Sequence, residues 1–179
     1  VTEGPVTHVF DTGPLRHFTL NGWLGVLKFL TGGRIVIPES VEREIKDQQH
    51  QHAALRQILD ADWITVDRSD DLEYLAAFAR YEEHLVDGGR NRGECGVLAL
   101  GRTRGHRIVI DDNVPRVLAK NEKLDCTGTL GLLCEAIRAD KLTVFLVESL
   151  ADDLLASEYR LPFGPGGFRQ WAAENGLLT

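Results

Sequence analysis

The residues of this chain that could do chemistry are carboxylates set at, or just beyond, short apolar runs. Asp11 directly follows His8-Val9-Phe10, and Asp111 and Asp112 directly follow Arg107-Ile108-Val109-Ile110. Both runs read as buried strands. In open parallel α/β sheets ligands bind outside the carboxyl ends of the strands, so these acids stand where a site forms. Two more acids fall on helical patterns. Glu44 borders the apolar stripe of Val41 and Ile45, and Glu94 shares a face with Val97 and Leu98. A carboxylate on an inward-packing stripe is costly unless it is paired or binds a cation. If Asp11, Glu44, Glu94 and Asp111 or Asp112 converge, they form an all-oxygen site suited to Mg²⁺ or Mn²⁺. Taken singly, each acid also has a structural explanation. Asp11 and Asp112 suit helix N-caps, Glu44 a solvated helical position, and Glu94 the positive end of its helix. The combination at matching strand ends favours the site.

The elements that must position these acids alternate between strand and helix. After the strand at 8–10, a helix is expected from Leu15 to Leu30, closed by Gly32-Gly33. A strand at 34–37 leads into a helix from Pro38 to Ile45. His50 to Leu59 reads as a further helix, 63–66 as a strand, and Asp70 to Leu85 as a helix. Asp87 to Gly93 is a glycine-rich, basic loop, and Glu94 opens the next helix. A strand at 107–110, a helix at 114–122, a weak strand at 124–127 and a helix from Gly128 follow. The tail holds a helical pattern at 149–157, a Gly/Pro loop at 162–167 and a short terminal helix. Such alternation indicates an α/β fold with a mainly parallel sheet. The continuous apolar strands suit a sheet covered on both faces.

Several function classes are disfavoured by composition. The net charge of -7 runs against a broad basic nucleic-acid surface. A site built from carboxylates, however, needs only a local basic rim. Cys95, Cys126 and Cys134 form no CxxC pair, which argues against a zinc finger or a disulfide framework. They read as reduced thiols of a cytoplasmic protein. No apolar run approaches the roughly 20 residues that span a bilayer, and VTEGPVTHVF lacks the basic-then-apolar pattern of a secretory signal.

Among the remaining candidates, Arg90 and Arg92 could contact phosphates or simply solvate their loop. The Thr127-Gly128-Thr129-Leu130-Gly131 turn could bind phosphate through backbone N–H groups or be a helix cap made by Thr127. His50 and His52 read as exposed helical residues. Trp23, Trp63 and Trp171 read as core.

Taken in order, VFDTGPL (9–15), IPESVEREI (37–45), GECGVLAL (93–100), IVIDDNVPRVLA (108–119) and TGTLGLL (127–133) resemble successive motifs of the PIN-domain family. The likeness is closest to a prokaryotic branch related to VapC-like toxins and spans about Val9 to Leu146. It implies one PIN-like domain over 1–179, with a core at about 7–146 and a C-terminal helical extension at about 147–179. It implies a three-layer α/β/α sandwich, acids that bind one or two Mg²⁺ or Mn²⁺ ions, and cleavage of single-stranded or structured RNA. By motif position Asp11 takes the first acidic role, Glu44 the second and Glu94 the third. Asp112 best fits the last, with Asp111 beside it. Thr12 and Thr127 fit hydroxyl positions near the site. The resemblance also offers a cognate antitoxin and a homodimer as partners. A phosphoryl-aspartate receiver and a non-catalytic PIN-fold binding module are the competing readings.

Overall fold

Five short strands form one wholly parallel sheet among the residues described. They are β1 (His8–Phe10), β2 (Ile35–Pro38), β3 (Ile64–Asp67), β4 (Arg107–Val109) and β5 (Cys126–Thr127), in the order β3-β2-β1-β4-β5. The computed structural model describes residues 6–86, 88–157 and 159–177. Asp87, the first residue of the expected glycine-rich loop, lies outside them.

The chain steps from β1 through β2 to β3 in one direction, then returns to lay β4 and β5 on the other side of β1. Right-handed crossovers therefore send the connecting helices to opposite faces. On one side lie α1 (Thr12–Leu20), α2 (Leu24–Thr31), α3 (Glu39–Gln48) and α4 (Arg56–Leu59). On the other lie α5 (Leu72–Leu85), α6 (Arg92–Arg104) and α7 (Asn113–Asn121). The result is a three-layer α/β/α sandwich. After β5 come α8 (Thr129–Arg138), α9 (Val144–Ala156) and α10 (Phe168–Glu174), with α10 packed on α9. This strand order also removes the receiver reading, because receivers follow the order 2-1-3-4-5.

The strand order reverses between β1 and β4, so the crevice for a ligand opens at their carboxyl ends. The Asp11 N–H donates to the Val109 carbonyl at 3.0 Å, which fixes those two ends side by side. Helix α6 is buried from Gly93 to Gly101 and packs on α5, α3 and the sheet. Gly96 allows that approach. A Cβ there would lie 2.8 Å from the Pro38 Cβ, inside any tolerable contact. Close packing of α6 on the β2–α3 junction brings its first turn, and Glu94, to the crevice.

The structure departs from the sequence reading at several points. The helix expected over Leu15–Leu30 is two helices, because Asn21 and Gly22 form a turn in which Gly22 takes φ +76°. The helix expected over His50–Leu59 is a 3-10 turn at Ala53–Leu55 followed by the short α4. His52 accordingly stands outside any helix, with Nε2 3.2 Å from Nη2 of Arg16. Helix α9 begins at Val144, ahead of the expected 149, because Thr143 caps it through the Leu146 N–H. The three tryptophans lie partly buried against the core rather than within it.

Candidate active site

Asp11 leaves β1 and caps α1, accepting from the Gly13 N–H at 3.5 Å through Oδ2. Its carboxyl is buried, and Oδ1 has no hydrogen-bond partner. Burial, then the nearby carboxylates of Glu94 and Glu44, push Asp11 well above the usual carboxylate range, against the pull of the Thr12 and Gly13 N–H groups.

Glu44 projects from α3 into the same region, and both its oxygens are engaged. Oε2 accepts the hydroxyl of buried Thr12 at 2.5 Å, and Oε1 accepts the Gly93 N–H at 2.8 Å. The carboxylate thus satisfies one of the free donors at the start of α6 and braces α1, α3 and α6 together. Glu94 lies in the first turn of α6 and is buried. Burial pushes it up to about 7; its own backbone N–H opposes that rise, while Glu44 and Asp112 add to it. Glu94 also lies close enough to Asp112 to share a hydrogen bond when one of them is protonated.

Asp111 and Asp112 turn to different neighbours, as adjacent residues at a strand end do. Asp112 is exposed, stands at the N-cap of α7 and faces Glu94. Asp111 reaches across to α8. Its Oδ1 accepts the Thr129 N–H at 2.7 Å, and its Oδ2 accepts the Thr129 hydroxyl at 2.6 Å and the Tyr159 hydroxyl. The N-terminus of α8, one candidate for phosphate, is therefore occupied by a carboxylate of the chain itself. Burial and Asp111 together hold the Tyr159 phenol strongly in its neutral, donating form.

The other expected residues divide. Thr12 joins the acids through Glu44. Thr127 is buried at the end of β5, where its hydroxyl donates to the Gly128 carbonyl at 3.3 Å. Arg92 pairs with Glu82 at 3.1 Å and lies over the Phe78 ring, so it faces α5. Arg90 is exposed in the loop ahead of α6. Sequence reasoning missed Tyr159, Thr129, His17 and Arg160. The contact of Tyr159 with Asp111 spans 48 residues, and no local pattern announces it.

Two clefts meet at Asp112. One, of about 480 Å³, is lined by Asp11, His17, Asp111, Asp112, Tyr159 and Arg160. The other, of about 330 Å³, is lined by His84, Asn91, Glu94, Asp112, Asn113 and Val114. The acids thus lie along an open groove at the carboxyl edge of the sheet. Among the described residues, no three His, Cys, Asp or Glu side chains are already gathered tightly enough to hold a metal ion.

A family model described as DUF3368: PIN domain matches residues 7–163. The chain belongs to this PIN-domain family. PIN domains are generally nucleases, act on nucleic acid and usually use divalent metals, so the fold is of nuclease type. No curated protein matches the chain. No described helix is long and apolar enough to cross a membrane.

Proposed function

We propose that this PIN domain is a divalent-metal-dependent ribonuclease that hydrolyses RNA phosphodiester bonds at the groove between β1 and β4. The observation that carries the reading is Asp11: a buried carboxylate with one oxygen unpartnered, pressed by Glu94 and Glu44. Such an arrangement is costly by itself, and a cation beside Oδ1 relieves it. Asp11, Glu94 and Asp112 are the residues that would hold Mg²⁺ or Mn²⁺. The bound ion supplies an activated water and stabilises charge on the phosphate.

The remaining residues position these three. Glu44, held by Thr12 and the Gly93 N–H, sets the first turn of α6 and with it Glu94. Asp111, gripped by Thr129 and Tyr159, fixes the turn after β4 and so aims Asp112. Thr127 supports that turn from the end of β5, where the Ile110 N–H donates to its carbonyl at 3.1 Å. Arg90, exposed ahead of α6, is the loop cation placed to meet RNA phosphates, whereas Arg92 serves the α5–α6 contact.

A toxin role would follow from an antitoxin encoded immediately upstream, and inspection of that reading frame tests it. A non-catalytic binding module is the second reading, favoured by the carboxylates not being gathered in advance. Incubation of the purified protein with mixed single-stranded and structured RNAs separates the two. Cleavage in Mg²⁺ or Mn²⁺ that stops in excess EDTA supports the nuclease. Equal cleavage in EDTA rejects the metal mechanism, and binding to RNA without cleavage across a broad substrate set favours the module.

A further inference from the structure

Next to Asp112, at the start of α7, lies a cleft of opposite charge. It measures about 680 Å³, and Asn113, Arg116, Val117, Lys120, Lys123 and Asp125 line it. Asn113, the first residue of α7, lines both this cleft and that of Glu94 and Asp112, so the two border each other there. Arg116 and Lys120 stand four residues apart on α7 and share a face. Lys123 follows just past the helix end, in left-handed backbone at φ +58°. All three side chains are exposed. None forms an ion pair with a described residue.

Several arginines elsewhere are engaged. Arg43, Arg56, Arg68, Arg80, Arg102 and Arg104 each pair with a carboxylate. The one acid lining the basic cleft, Asp125, lies 3.4 Å from Nε of Arg107. On a chain of net charge -7, three such cations beside an acidic groove mark a place for an extended polyanion. Another exposed arginine, Arg160, lines the cleft of Asp11 and Asp112.

We propose that single-stranded RNA crosses the carboxyl edge of the sheet past the acids, its phosphates held by Arg116, Lys120 and Lys123 of the basic cleft and by Arg160. The substrate class rests on the nuclease reading; the track itself is a statement about binding. It explains how an acidic protein holds RNA: the cations flank the carboxylates instead of surrounding them. The contact is to phosphates, so it carries affinity and register rather than sequence choice.

The test is anisotropy of a fluorescein-labelled single-stranded oligouridylate, with EDTA present so that hydrolysis plays no part. Each phosphate contact on a single strand contributes about 0.7 to the slope of log affinity against log salt. Replacing Arg116, Lys120 and Lys123 together by Gln is expected to lower that slope by about 2, and to weaken binding at low salt by roughly tenfold or more. Arg160→Gln should lower it by about 0.7. A control triple with Lys28, Arg56 and Arg138 replaced by Gln should leave the slope unchanged. Melting temperatures equal to wild type confirm that the variants are folded, and the single reversal Lys120→Glu provides a second reading. An unchanged slope and affinity in the α7 triple variant would assign the basic cleft to another partner, such as an acidic protein segment, and overturn the proposal. So would a wild type that binds no single strand. Intact binding here, with no cleavage when Mg²⁺ or Mn²⁺ replaces the EDTA, would sink the nuclease reading alone.

Discussion

Thr12 donates its hydroxyl to Glu44 at 2.5 Å, joining the first turn of α1 to α3. The other Glu44 oxygen takes the Gly93 N–H, so one side chain satisfies donors from two helices. Glu44→Ala leaves both without a partner and is expected to cost about 1–3 kcal/mol, measured by urea denaturation. Glu44→Gln should cost much less. Its amide oxygen still accepts the Gly93 N–H, and the Thr12 hydroxyl can turn to accept from the amide nitrogen. Equal losses in the two variants would show that Glu44 acts through its charge rather than as a brace.

The acid cluster has a signature in stability against pH, read without metal. Glu94 titrates at about 7 in the folded protein, against an ordinary value of 4.5. The folded state therefore holds this proton more tightly than the unfolded chain does. Stability falls as pH rises from 4.5 to about 7 and does not recover above it. Glu94→Gln removes that loss, so in EDTA the variant should be more stable than wild type at pH 8 and equal to it near pH 4. Asp11→Asn should behave likewise, since the amide oxygen can keep the Gly13 cap. A wild type as stable as both variants at pH 8 would mean that the cluster bears no repulsion.

His8 acts in the opposite sense. Burial, and then Arg107, lower it from 6.5 to about 4, so the folded state favours the neutral ring. Its contribution is complete above pH 6.5 and is lost as pH falls towards 4. His8→Gln should flatten the acid limb of the wild-type stability curve, as followed by thermal melting across pH.

Asp111 and Asp112 should separate by function. Asp112→Asn is expected to lose most hydrolytic activity while melting close to wild type, because Asp112 is exposed. Asp111→Asn should show milder loss of activity but a lower melting temperature, since its oxygens serve Thr129 and Tyr159. Tyr159→Phe removes one of those donors and should cost about 1 kcal/mol. Asp111→Asn without activity beside an active Asp112→Asn would reverse the assignment.

The parts of this fold that were legible in the sequence are those written locally. Val9-Phe10 and Ile108-Val109-Ile110 announce strands by unbroken apolarity, and the acids that follow them are adjacent in the chain. The break at Asn21-Gly22 was less visible, because apolar residues continue on helical spacing through it. The partners of the acids were not legible. Thr12 finds Glu44 across 32 residues, Asp111 finds Thr129 across 18, and Tyr159 reaches Asp111 from a tail of weak pattern. Such pairings depend on the order in which strands assemble, which hydrophobic periodicity does not encode. Arg116 and Lys120 are regular on their helix, yet only the placement of α7 beside Asp112 gives that spacing a meaning.

Mn²⁺ titration followed by melting temperature, with wild type beside Asp11→Asn, tests the central claim most directly. A cation that binds only the folded form stabilises it by about 2.7 kcal/mol at 100-fold over its dissociation constant. The wild type should therefore melt progressively higher with Mn²⁺ but not with matched NaCl, and Asp11→Asn should respond much less. If both proteins shift equally, Mn²⁺ is not binding at Asp11, and the proposed centre loses the residue on which it is built.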